Sequence, residues 1–116
     1  SNKNNLKKIK IIGNFHGTLT CEKQRSLIKK FGWSFRLGGF DALNYCLLAE
    51  GRVDAVIEAN LKPYDISPLI PIINNAGAIV SNWKNESAEN GGNILATSNR
   101  ILHNKILKLL KPFTKK

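Results

Sequence analysis

The chain holds eight acidic residues among 116, so the place of each one is informative. Two of them, Glu58 and Asp65, stand seven positions apart across the segment ANLKPYD, which reads as a short loop. Glu58 closes the run VDAVIE, whose apolar and polar residues alternate with the period of a strand. Asp65 precedes Ile66, Leu69, Ile70 and Ile73, spaced for one face of a helix, and an aspartate at a helix start caps the free N–H groups of the first turn. Ligand sites in α/β sheets gather at the carboxyl ends of strands, beside helix starts. A carboxylate there binds a hard divalent cation or accepts hydrogen bonds from substrate hydroxyls. Spacing alone favours a plainer alternative, in which Asp65 is a helix cap and Glu58 a solvated strand end.

The other chemically capable residues are weaker candidates. His16 lies in GNFHGT, a glycine loop after an apolar run, where it would touch a phosphate; a lone loop histidine is more often incidental. The same segment fits neither a P-loop nor a dinucleotide fingerprint. His103 falls among lysines in the last helical segment and reads as a surface residue. Cys21 and Cys46 form no C-x-x-C pair, and two histidines cannot complete a structural zinc site with them. Cys46 reads as a small buried hydrophobe on a helix face.

The elements that must position these residues alternate. KIKIIG, with Ile9 to Ile12, is a short β-branched strand. Thr20 caps a helix through CEKQRSLIKKF that Gly32 closes, and WSFRL is a second strand. GGFDALNYCLLAEG is a helix with Phe40, Leu43, Cys46 and Leu47 on its buried face and Gly51 at its carboxyl end. VDAVIE is the third strand. The helix from Asp65 contains Pro71, which removes an interior hydrogen bond and kinks it. AIVSNW and NILATS are joined by a polar loop too short for a helix and pair antiparallel. Asn99 caps a last helix with Leu102, Ile106, Leu109 and Leu110 facing inward. The expected fold class is therefore α/β: a layered single domain, residues 1–116, with a mixed five-stranded sheet flanked by helices on both faces.

Composition narrows the class. Hydrophobic residues make up 42% of the chain, ordinary for a globular domain and above the range of disordered chains. No apolar run approaches the roughly 20 residues that cross a bilayer, and the chain reads as soluble, with a cytoplasmic location and no membrane partner. The net charge of +10 invites a nucleic-acid partner. Its distribution argues against that role: lysines crowd the two ends, Gly38 to Asn82 holds only Arg52 and Lys62, and no basic stripe is interleaved with aromatics. Methionine is absent throughout, so Ser1 reads as the start of a processed product or of a piece of a longer protein.

A larger pattern joins these residues. The stretch from Gly38 to Trp83 resembles the second signature region of the inositol monophosphatase family. Gly39, Ala42 and Asn44 match its G-x-x-A-x-N/D helix; Gly51, Asp54, Ala55 and Glu58 match G-x-x-D-A-x-x-E; Tyr64, Asp65, Ala76 and Gly77 match W-D-x-A-x-x-x-x-I-x-x-x-A-G-G. The wording LKPYD is most similar to the histidinol-phosphate phosphatase-like branch. The resemblance implies the carboxy-terminal half of a Mg²⁺-dependent phosphatase acting on a small phosphorylated alcohol, histidinol phosphate or an inositol monophosphate, and usually a homodimer.

Carried over by residue, the resemblance makes Asp65 a Mg²⁺ ligand and Glu58 an acceptor for the substrate's alcohol moiety. Gly39, Phe40 and Asp41 match a loop lining the substrate pocket, with Arg36 beside it; Gly17 and Thr18 fall where a further substrate-facing loop lies. Tyr64 replaces the common tryptophan and Ala78 the second glycine of A-G-G. Asp41 offers a carboxylate that would pair with a cationic amine, or caps its own helix. The family's glutamate segment and D-P-x-D-G-T motif have no counterpart here. They belong to the amino-terminal half, and without them one aspartate cannot hold the metal cluster that phosphate hydrolysis needs. The expectation is an inactive isolated chain. The alternative is a non-catalytic binding or regulatory domain derived from the same fold.

Overall fold

The computed structural model describes the backbone at residues 10–14, 35–37 and 41–113, and side chains at 10–13 and 45–112. The helix expected through CEKQRSLIKKF lies outside the described residues. Strands β1 (Ile11–Asn14), β2 (Phe35–Leu37), β3 (Ala55–Leu61), β4 (Ile79–Asn82) and β5 (Gly92–Thr97) form a five-stranded sheet in the order β2-β1-β3-β5-β4. β1 pairs parallel with both β2 and β3, whereas β5 pairs antiparallel with β3 and with β4. The sheet is mixed, as the sequence pattern leads one to expect. β3 and β4 run parallel to each other through their helical crossover, but β5 lies between them.

Helices cover both faces. α1 (Asp41–Ala49), α2 (Pro63–Ile66) and α3 (Ile70–Asn75) contribute Tyr45, Leu48, Ile66 and Ile73 to one buried cluster with Val56, Ile94 and Ala96 of the sheet. α4 (Arg100–Leu110) packs Leu102, Ile106 and Leu110 on the other face against Ile11, Ala55, Ile57 and Leu95. Each fully buried aliphatic side chain of this kind contributes about 1.5–3 kcal/mol. The face of α1 differs from the expected stripe: Tyr45 and Leu48 are buried, while Cys46 and Leu47 are half-buried. Among the described residues no helix is long and apolar enough to cross a membrane.

Local hydrogen bonds fix the ends of the elements. Asp54 ties the start of β3 to its neighbours: its Oδ2 accepts from the Lys10 N–H at 3.0 Å, and its carbonyl accepts from Ser98 N–H at 3.0 Å. Asn99 caps α4 through Oδ1, which accepts from Leu102 N–H at 2.8 Å. The helix expected to kink at Pro71 is divided instead. α2, a 3-10 turn over Ser67–Leu69 and α3 follow one another, each with a proline at its first or second position, where the missing N–H is harmless.

His103 is not the surface residue that its lysine neighbours suggest. It is a fully buried residue of α4. Thr97 Oγ1 donates to the Asn99 carbonyl at 3.0 Å and lies 2.9 Å from His103 Nδ1, while Ser81 Oγ donates to the Asn82 carbonyl at 2.7 Å and lies 2.7 Å from His103 Nε2. Three elements, β4, β5 and α4, are thereby joined by one side chain. Burial, with the nearby Arg100 charge adding to it, lowers the His103 pKa from 6.5 to about 4. The unfolded chain therefore takes up this proton first, so stability is fullest above pH 6.5 and falls as pH drops toward 4. Urea denaturation across that interval should show a loss of up to about 3 kcal/mol from this group. His103→Gln should be less stable at neutral pH yet lose less on acidification.

Candidate functional site

The site is built on the carboxyl ends of the three parallel strands. β2, β1 and β3 are adjacent and codirectional, with Gly13 opposite Leu37 on one side and Ile57 on the other, and Asn14 opposite Glu58. The chain therefore leaves all three strands at the same end of the sheet. Asp41 opens α1 shortly after β2, and Asp65 lies in α2 shortly after β3. Arg36 stands in β2 opposite Ile12; its side chain and that of Asp41 are outside the described residues. Gly17, Thr18, Gly39 and Phe40, and with them His16, also lie outside the described residues.

Glu58 is not a solvated strand end. β3 runs on to Leu61, and Glu58 is 0% exposed, on the same sheet face as Val56 and so on the side of α1, α2 and α3. Burying a carboxylate is costly, and such groups are retained where they serve a partner or ligand. Asp65 is half-buried and does not occupy the N-cap. Lys62 does, with Pro63 at the first helical position. Asp65 reaches back one turn: Oδ2 accepts from the Lys62 N–H at 3.0 Å, and the Asp65 N–H donates to the Lys62 carbonyl at 2.9 Å. This fixes one carboxylate oxygen against its own helix and leaves Oδ1 without a hydrogen-bond partner among the described residues. Tyr64, beside it, is 74% exposed.

A bulge after Glu58 decides which face the chain reaches beyond it. β3 pairs Glu58 with Ile94 and then Leu61 with Gly92, three residues advanced on β3 (58 to 61) against two on β5 (94 to 92). Without the extra residue, strict alternation would turn Leu61 toward α4. With it, Leu61 joins the cluster of Val56, Ile66 and Ile73, and α2 begins on the face that holds Glu58. Asn60 takes up the bulge in the left-handed region, φ 61°, and its N–H donates to Asn93 Oδ1 at 3.0 Å. Gly91, φ +73°, packs beneath the same backbone. None of these three residues stood out as functional in the sequence. The nearest signal was NGGN, legible as a turn but not as a support for the segment thirty residues earlier.

Among the described residues no group of three or more His, Cys, Asp or Glu side chains could hold a metal ion. A cavity of about 340 Å³ lined by Trp83, Lys84, Asn85, Leu107, Lys108 and Lys111 lies on the α4 side of the sheet and includes neither acid.

A sequence profile of the inositol monophosphatase family matches residues 3–114. The chain belongs to that family. It is 34% identical over 84 residues to the chloroplastic bifunctional phosphatase IMPL2 of Arabidopsis thaliana, a match covering 65% of this chain and 24% of that protein. It is 35% identical over 78 residues to the histidinol-phosphatase of Mycobacterium tuberculosis, covering 67% of this chain and 29% of the relative. The Nus factor SuhB of Vibrio cholerae is 42% identical over 67 residues, 57% of this chain and 25% of that one. An inositol monophosphatase from Anabaena superposes with a TM-score of 0.81 over 97% of this chain and 48% of its own, at 22% identity, which speaks for the fold. The staphylococcal IMPase-II superposes with a TM-score of 0.75 at 29% identity, over 93% of this chain and 45% of its own. This inositol monophosphatase family chain thus spans less than a third of these curated relatives and under half of the solved structures.

The Gly91 contact gives a direct test of the support. A Cβ at Gly91 would lie 2.5 Å from the Leu61 carbonyl oxygen and 2.8 Å from the Lys62 carbonyl carbon, whereas one at Gly77, φ +82°, meets nothing within 4 Å. Gly77→Ala should cost about 1 kcal/mol of backbone strain, and Gly91→Ala about 2–4 kcal/mol. Chemical denaturation of the two variants side by side checks the order.

Proposed function

We propose that the protein carrying this chain is a Mg²⁺-dependent phosphatase of a small phosphate monoester, with Asp65 as a metal ligand and Glu58 as the acceptor for the substrate's alcohol group. The observation that supports this reading is a buried glutamate on β3, near the carboxyl ends of the parallel strands, followed across a one-residue bulge by a half-buried aspartate whose carboxylate is oriented by the Lys62 N–H. Asp65 fits a hard cation: its Oδ2 is held by Lys62 N–H, so Oδ1 is presented in a set orientation. Magnesium, when bound, would supply the charge that stabilises phosphoryl oxygens and lowers the pKa of a water molecule. Glu58, shielded from solvent, would select and orient a hydroxyl of the alcohol. Arg36, Gly39, Phe40, Asp41, Gly17 and Thr18 are proposed to line the same pocket, at the ends of β2 and β1.

Histidinol phosphate is the favoured substrate, because Asp41 offers a carboxylate for a cationic amine and one relative is a histidinol-phosphatase. An inositol monophosphate is the alternative. A cytoplasmic homodimer completed by an amino-terminal half belongs to the same proposal. The remaining metal ligands would come from that half, and residues 1–116 alone would be inactive. A second reading, a binding or regulatory role without catalysis, draws on the relatives named Nus factor SuhB.

The test is hydrolysis of both phosphate esters by the full-length protein, with and without Mg²⁺. Asp65→Asn should lower kcat/KM by about a hundredfold or more, as expected for loss of a group acting on developing charge. Residues 1–116 alone should release no phosphate. Metal-independent turnover, or an Asp65→Asn enzyme as active as wild type, would contradict the assignment; absence of any phosphatase activity in the full-length protein would favour the regulatory reading.

A further inference from the structure

We propose that Asn93 is a positioning residue for this site: through the Asn60 bulge it sets the offset between Glu58 and Asp65. The inference rests on the metal-site reading of Asp65. Asn93 is anchored where it can do this. Its carbonyl accepts from the N–H of buried Trp83 at 3.0 Å, and the Trp83 indole N–H donates to the adjacent Ile94 carbonyl at 3.0 Å. From that fixed point its Oδ1 accepts the Asn60 N–H at 3.0 Å. Asn60 is exposed and left-handed, φ 61°, a conformation that asparagine adopts more readily than other non-glycine residues but that still costs more than it would at glycine.

The consequence is geometric. β3 is continuous with the sheet at Glu58, and the next paired position is Leu61. The single extra residue turns Leu61, and α2 after it, onto the Glu58 face. Gly91 lies under Leu61, Lys62 and Pro63, leaving that stretch no room to settle toward β5. Lys62 in turn holds the Asp65 carboxylate. Asn93 thus holds Asn60, and two residues further along the backbone Lys62 holds Asp65. Nothing in this arrangement touches substrate or metal at Asn93 itself. The Lys62 N–H is the direct support of the Asp65 carboxylate, of the kind whose loss typically costs 10–100-fold in metal affinity, and Asn93 acts one step behind it.

The experiment uses the full-length protein and Mn²⁺ as the probe, with free Mn²⁺ counted by electron paramagnetic resonance, alongside kcat and KM for a phosphate monoester. Asn93→Ala should weaken Mn²⁺ binding by about tenfold. Asn93→Asp, which keeps an acceptor for Asn60 N–H, should bind within about threefold of wild type, well inside the range of an intact outer support. Asn60→Gly combined with Asn93→Ala should recover most of the affinity, because glycine holds a positive φ without the clamp. A general loss of packing would not be repaired by that second change. Wild-type Mn²⁺ affinity in Asn93→Ala, or a double variant no tighter than the single one, overturns the proposal. If Asn93→Ala does not fold, the double variant and Asn93→Asp decide in the same way. Asp65→Asn separates the two claims: lost Mn²⁺ binding there with none lost in Asn93→Ala sinks only the Asn93 proposal, whereas undiminished binding in Asp65→Asn sinks the metal reading beneath it.

Discussion

A strand has two faces, and a side chain's face is set by counting from its neighbours. Glu58 and Asp65 can serve one site only if the chain between them makes the count come out right, and regular pairing to the end of β3 would not. The one-residue bulge at Asn60 corrects the parity, sending Leu61 into the cluster of Ile66 and Ile73 and starting α2 over Glu58 rather than on the α4 side. The rest of the site inherits that correction. The orientation of Asp65 through Lys62, the packing of Gly91 and the hydrogen bond from Asn60 to Asn93 have meaning only around it.

The two faces of the sheet divide the work. On the α4 side Ile57, Leu95, Leu102, Ile106 and Leu110 are fully buried, and His103 bridges to Ser81 and Thr97. These contacts hold β4, β5 and α4 as one layer. β5 carries Asn93 at its exposed end and is paired on both sides, so the layer gives the bulge a fixed reference. On the other face the helices are short, α2 and α3 being split by prolines, and Tyr64 and Ile72 are exposed.

Much of this was legible in the residues. β-branched and alternating runs located all five strands, the short ENGGN connection gave the antiparallel pair, and Asn99 capped α4 as its side chain permits. Glu58 and Asp65 stood out because acids are scarce. Other features depended on distant partners. His103 reads as exposed beside its lysines, but Ser81, twenty-two residues earlier, and Thr97 complete its hydrogen bonds and allow its burial. Glu58 reads as a strand end because the alternation of VDAVIE stops there, but β3 continues to Leu61, which pairs with Gly92 of β5 beyond the bulge. The placing of Asp65 at a cap was an error of local chemistry: Pro63 marked the first helical position, which puts the cap at Lys62 and the aspartate one turn in.

The central claim is spatial: Glu58 and Asp65 border one pocket, and Asp65 grips a cation there. The most direct measurement is a crystal structure of the full-length protein with Mn²⁺, located by its anomalous scattering. The account predicts a peak bonded to Asp65 Oδ1, with the Glu58 carboxylate bordering the same cavity and the Lys62 N–H still held on Oδ2. A metal bound elsewhere, with Asp65 folded wholly into its own helix and Glu58 opening onto no shared cavity, would contradict it.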